Sequence, residues 1–220
     1  SRRSLIRIDP ALPFDQAALF GCAVLTGVGA VVNTAGVRPG QSVAVVGLGG
    51  VGLASVLGAL ACGASPVVAV DLSEDKLALA RTLGPVHTVN AGDPDAIEQV
   101  RALTGGGAEV VVEMAGSARA LEAAWKMTRR GGTTVTAGLP PPDAVLPVNI
   151  VGLVAEERTL KGSYIGTCVP SRDLPRYVAL FREGRLPVDR LMSGSLPLDR
   201  INEGFDRLVE GSVARLVVTL

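Results

Sequence analysis

The chain has 220 residues, enough to bury a substantial core and to form one large domain, or one domain with pieces of another. Lys and Arg together number 21, as do Asp and Glu, so no basic field is available to attract nucleic acid or an anionic membrane surface. The three cysteines, Cys22, Cys62 and Cys168, are scattered with no C-x-x-C pair, which argues against a disulfide framework and for a reducing, cytoplasmic setting.

Residues 5–8 read as a short strand, followed by breaks at Pro10 and Pro13. The opening SRRSLIRIDP has arginines but no apolar run behind them, so it does not read as a secretory signal. It also lacks an initiator Met, which suggests a start partway through a longer polypeptide. Residues 25–35 read as a helix of apolar and small residues. No charge occurs from 16 to 37 or from 39 to 70, lengths that suggest membrane helices. Irregularly spaced glycines in both runs, and Pro66 in the second, argue against a spanning helix in either.

The chain is organised around residues 43–64, VAVVGLGGVGLASVLGALACGA. They read as a buried strand, a glycine turn and an apolar helix, with Gly47, Gly49 and Gly52 in a G-x-G-x-x-G frame. The next apolar run, VVAVD, ends on Asp71, nineteen residues after Gly52. Each part has a mechanical use in holding a dinucleotide. Gly47 permits a tight turn, Gly49 lets backbone approach a pyrophosphate, and Gly52 lets helix and strand pack closely. The helix N-terminus supplies free N–H groups and partial positive charge to phosphate.

Beyond Asp71, Ser73 is suited to cap a helix that ends at Gly84-Pro85. A short strand VHTV follows, then a helix opened by Asp93-Pro94 and closed by the glycines at 105–107. AEVVVEM (108–114) is another buried strand, Ser117 caps a helix through Trp125, and TTVTAG is a strand. Such alternation of strands and helices, with near-continuous apolar strands, predicts an α/β fold with a doubly wound parallel sheet covered on both faces. After the prolines at 140–142 come a strand at 159–165, amphipathic helices at 173–182 and at 199–209 (capped by Asp199), and a terminal strand at 214–220.

These residues, taken together, resemble the C-terminal part of a zinc-dependent alcohol dehydrogenase of the medium-chain dehydrogenase/reductase family. The segments that carry the resemblance are GCAVLTGVGAVVN (21–33), VAVVGLGGVGL (43–53), VVAVDLSEDKLALARTLG (67–84), TLKGSYIG (159–166) and LPLDRINEGFDRLVEGSVARLVVTL (196–220). The resemblance implies a Rossmann coenzyme domain at 25–165, flanked by remnants of a GroES-like catalytic domain at 1–24 and 166–220. The family's N-terminal catalytic half, with two of the three catalytic zinc ligands, has no counterpart here. Cys22 matches the third ligand, a thiolate suited to zinc; on its own it would be a small buried apolar residue. One ligand makes no metal site, so no tightly held zinc is expected on this chain and no complete set of catalytic residues.

For the coenzyme, the resemblance places Thr26 and Val51 beside the nicotinamide and Gly47, Gly49, Gly50 and Gly52 around the pyrophosphate. Asp71 would accept hydrogen bonds from the adenosine ribose and repel a 2′-phosphate, which favours NAD over NADP. Lys76 matches a residue that reaches the same ribose, and is otherwise an exposed helix lysine. Met114, Ala115, Ala137, Leu139 and Ile165 fall on strand ends that face the nicotinamide in the family, or are ordinary core residues. Arg215 matches a basic residue near the pyrophosphate. His87, the sole histidine, lies outside every matched motif.

The implied activity is hydride transfer between NAD and a small alcohol, aldehyde or ketone, or a thiol adduct of formaldehyde, with zinc as Lewis acid in the intact enzyme and the chain alone inactive. The rivals are a zinc-free NADPH quinone or enoyl reductase of the same superfamily and a non-catalytic NAD-binding module. A homodimer or homotetramer is expected, with residues 160–165 pairing across a two-fold axis.

Overall fold

The computed structural model describes residues 5–211 and 213–220. Six strands form one parallel sheet: β1 (Val43–Val46), β2 (Val67–Asp71), β3 (Val86–Asn90), β4 (Ala108–Glu113), β5 (Thr128–Thr136) and β6 (Thr159–Gly162). Their order is β3-β2-β1-β4-β5-β6. The chain therefore reverses its direction of growth between β1 and β4, and a crevice opens there beyond the strands' carboxyl ends. This is the doubly wound Rossmann-type sheet that the strand–helix alternation predicts.

The main helices of the described residues are α1 (Phe14–Ala35), α2 (Gly50–Ala61), α3 (Glu74–Thr82), α4 (Ala96–Leu103), α5 (Ala118–Met127), α6 (Ile150–Ala155), α7 (Pro170–Arg182) and α8 (Ile201–Val209), besides short 3-10 turns. Side chains alternate across the sheet. Val43, Val45, Val67, Ala69 and Val112 join Val24, Val28, Leu53 and Leu57 of α1 and α2 in one core. Ala44, Val46, Val68, Val70 and Val111 join Val100, Ala124 and Met127 of α4 and α5 in the other. All four residues of β1 are buried, because β1 is central and covered on both faces. A separate two-stranded parallel sheet pairs β7 (Ser195–Pro197) with β8 (Val217–Thr219).

Several sequence expectations need correction. Residues 5–8 form no strand. The glycines of the first charge-free run do not interrupt a helix: α1 is continuous over 22 residues and, by length and composition, long enough to cross a membrane. Its glycines serve close packing instead. A Cβ on Gly27 would collide with the Val51 carbonyl oxygen of α2, and many apolar side chains of α1 pack inside the fold, with Val24, Val28 and Val31 at most 1% exposed.

Other corrections concern helix ends and edges. The helix expected to open at Asp93-Pro94 begins at Ala96, with Asp95 at its N-cap, and Arg200 rather than Asp199 caps α8. A turn of 3-10 helix over Leu198–Arg200 takes up the residues between β7 and α8. The strand expected at 159–165 stops at Gly162 because Ile165, Gly166 and Thr167 adopt left-handed backbone angles that no strand allows. The terminal strand is confined to Val217–Thr219. Ser117 does cap its helix, accepting the Ala120 N–H at 3.1 Å.

Candidate functional site

The crevice is shaped by backbone contacts that only glycine permits. Gly47 has φ +90°, and a Cβ on it would lie 2.6 Å from the Ala115 nitrogen. A Cβ on Gly52 would overlap the Gly47 carbonyl oxygen. The first turn of α2 is therefore drawn against the end of β1. Gly49, the extended N-cap of α2, is exposed, and a Cβ there would meet nothing within 4 Å. The first amides of α2 have no intrahelical acceptor, and they face this open space with the positive end of the helix dipole.

Asp71 turns its carboxylate toward the loop. Its Oδ2 accepts the Leu48 N–H at 2.6 Å and its Oδ1 accepts the Ser73 N–H at 2.9 Å. Ser73 is the N-cap of α3, but its side chain makes no capping bond. Gly47, Asp71 and Ala115 line a cavity of about 470 Å³ that continues past Leu72 and Ser117 to Arg119.

The C-terminal segment returns to the same place. Arg215 lies over the start of α2, where a Cβ on Gly50 would collide with its Nε. That nitrogen is enclosed and has no hydrogen-bond partner among the described residues. Lys76 of α3 is half-buried, its Nζ 3.8 Å from the position a Cβ on Gly211 would take.

The other predicted positions are spread around the mouth. Met114 donates its N–H to Val46 at 2.8 Å, and its Cβ lies 3.6 Å from where a Cβ on Gly52 would be. Val51 and Thr26 are half-buried where α1 crosses α2. Ala137 donates its N–H to the Glu113 carbonyl at 3.0 Å, whereas Leu139 is 85% exposed. Ile165 sits in the left-handed turn, partly exposed. Cys22 is an exposed free thiol on α1, and among the described residues no three His, Cys, Asp or Glu side chains gather into a group able to hold a metal.

Three groups near the crevice escape a motif-based reading. Glu113 is 1% exposed at the end of β4, yet it is an acid in an otherwise apolar run, VVVEM; that acid is the available signal. Asn33 and Thr34, at the end of α1, hold the left-handed turn. Asn33 Nδ2 donates to the Gly166 carbonyl at 3.3 Å, and the Thr34 hydroxyl bonds those of Ser163 and Thr167 at 2.8 and 2.7 Å.

A parallel sheet of this order, with a glycine turn and an acid meeting at its switch point, defines a Rossmann-type fold, and comparisons with known proteins give the family. Residues 50–183 match the model of the zinc-binding dehydrogenases. The chain belongs to the zinc-binding dehydrogenase family. It is 36% identical over 217 residues to alcohol dehydrogenase 1 of Trifolium repens, covering 97% of this chain and 57% of that protein. It superposes with a TM-score of 0.94 and 32% identity on an alcohol dehydrogenase zinc-binding domain protein from Burkholderia ambifaria, covering 98% of this chain and 58% of that one. Benzyl alcohol dehydrogenase from Acinetobacter calcoaceticus gives a TM-score of 0.96 at 27% identity, covering 100% of this chain and 60% of the other. The chain thus spans somewhat over half the length of the proteins it matches.

Proposed function

We propose that this chain is the NAD-binding portion of an alcohol dehydrogenase, acting on a small alcohol, aldehyde or ketone, or a thiol adduct of formaldehyde. The observation that carries the reading is the enclosed, unpartnered Arg215 Nε beside Gly50, at the open N-terminus of α2. A cation packed beside the free amides of a helix N-terminus suits a diphosphate. Gly49 and Gly50 would take the diphosphate, Asp71 the adenosine ribose with Lys76 near it, and Thr26, Val51, Met114, Ala115, Ala137, Leu139 and Ile165 the nicotinamide half. When bound, NAD supplies the redox chemistry. The chain's residues orient it and keep the second ribose hydroxyl, rather than a 2′-phosphate, beside the Asp71 carboxylate.

Zinc does not fit this chain alone. A single exposed thiolate makes no zinc site, and the described residues offer no second and third ligand beside Cys22. We keep Cys22 as one ligand of a site completed by residues outside these 220, and expect no alcohol turnover without them. We also propose a cytoplasmic homo-oligomer, in which 1–24 and 166–220 belong to a catalytic unit. The edge strand β6, exposed at each of its four residues, and the exposed Ile150, Val151 and Val154 of α6 support self-association.

Titration with NADH and NADPH tests the coenzyme reading. NADH is expected to bind the more tightly, and Arg215→Met to weaken NADH by about tenfold, the loss of one charge-assisted contact. Equal affinity of wild type and Arg215→Met would sink it.

A further inference from the structure

Glu113 is the strongest anomaly in the molecule. It is a carboxyl group 1% exposed at the carboxyl end of β4, and no ion pair among the described residues includes it. Burying such a group is costly unless its oxygens are hydrogen-bonded, so its partners define its use. Oε1 accepts the Gly116 N–H at 2.6 Å, just beyond β4, and Oε2 accepts the Thr136 hydroxyl at 2.6 Å, on the last residue of β5. One side chain thus ties together the segments that follow two neighbouring strands.

The backbones it joins touch directly. A Cβ on Gly138 would collide with the nitrogen and Cα of Gly116 and lie 3.2 Å from Glu113 Oε1. Gly116 has φ +70°, and a Cβ on it would lie 3.1 Å from the Leu139 nitrogen. Ala115 in turn packs on Gly47. The ends of β1, β4 and β5 therefore form one contiguous backbone junction, with the Glu113 carboxyl as its internal brace.

We propose that Glu113 is a positioning residue, which sets the relative placement of Met114–Ala115 and Ala137–Leu139 and thereby the seat of the nicotinamide half of the coenzyme. The inference rests on the NAD-binding reading above. It separates two parts of that site. The Glu113 carboxyl bonds Gly116 and Thr136 and makes no hydrogen bond to Asp71 or Arg215, so the ADP-ribose portion is expected to keep its contacts when the brace is removed.

The test compares two ligands, NADH and ADP-ribose, by titration calorimetry on the full 220-residue chain. Glu113→Ala is expected to weaken NADH by about tenfold or more while ADP-ribose stays within about twofold, a split that general destabilisation does not produce. Glu113→Gln keeps an acceptor for Gly116 and can donate to the Thr136 hydroxyl, so it is expected to restore most of the NADH affinity. Thermal unfolding monitors the fold, and if Glu113→Ala does not fold, Thr136→Val removes half of the brace and is expected to give a smaller loss with the same split. Unchanged NADH affinity in the folded Glu113→Ala or Thr136→Val variant, or equal weakening of both ligands, overturns the proposal. Wild-type chain that binds neither ligand overturns the coenzyme reading itself.

Discussion

The centre of the sheet and the last third of the chain reach very different closure. In α2, nine of the twelve residues are buried, whereas Gly204 is the one buried residue of α8. Phe205 and Val209 of α8 are 57% and 90% exposed. Their spacing, with Ile201 and Leu208, marks an apolar helix face as clear as many that form cores. The difference is in what lies opposite. α2 packs between a six-stranded sheet and α1, while α8 packs chiefly on the short strand β7 and the 3-10 turn that precedes it. Hydrophobic patterning orients an element; burial requires a second layer to receive it.

That comparison can be broken or sharpened by mutation. The largest effect is expected for Gly52→Val, which drives a side chain into the Gly47 carbonyl and forces α2 off the end of β1. Urea unfolding should show a loss above about 4 kcal/mol, or no folded protein. Leu57→Ala, in the fully covered core, is expected to cost about 2–5 kcal/mol by the same measurement. A cost near zero there would mean that the sheet centre is not the better-packed region.

Between the two regions lies Asp173 of α7, 1% exposed, which accepts the Val169 N–H and both Nε and Nη2 of Arg172. The Arg172 guanidinium, chiefly, holds its carboxyl below the usual carboxylate range. A lowered folded-state value stabilises the protein above the unfolded value of about 4, and that stabilisation fades as pH falls through the folded one. Asp173→Asn is expected to cost about 1–3 kcal/mol at neutral pH, the lower figure favoured because Arg172 is half-exposed. The gap to wild type should close as the pH of the unfolding series drops below about 4. A gap that widens in acid would show that Asp173 contributes through something other than its charge. The smallest effect, within about 0.5 kcal/mol, is expected for Phe205→Ser on α8. If that substitution instead matched Leu57→Ala, the apolar face of α8 would be covered in solution.

Much of the fold and part of the site are legible in the residues themselves. β1, β2 and β4 are short apolar runs bounded by turns, and each is buried as its composition requires. The demands on Gly47 and Gly52 are local, since both concern a turn and the helix it feeds. What misleads is also physical. The glycines of the first charge-free run read as evidence against one long helix, because propensity penalises glycine in a helix, but Gly27 is placed where two helix backbones nearly touch. Asp93 reads as a cap by its type, but the cap position falls on Asp95, a shift of two residues that capping chemistry alone does not resolve.

Glu113 shows the limit from the site's side. Its presence in VVVEM is visible in the sequence, but its partners are three and twenty-three residues away, and the second lies on another strand. By itself the sequence determined the alternation of strands and helices, the glycine turn and the acid that ends β2, because these depend on steric and hydrophobic rules acting over a few residues. Only the tertiary structure decided that Arg215 returns to the start of α2, that Gly116 meets Gly138, and that one buried carboxyl braces two strand ends. Those contacts arise between segments far apart in the chain, where no local periodicity records which surfaces will meet.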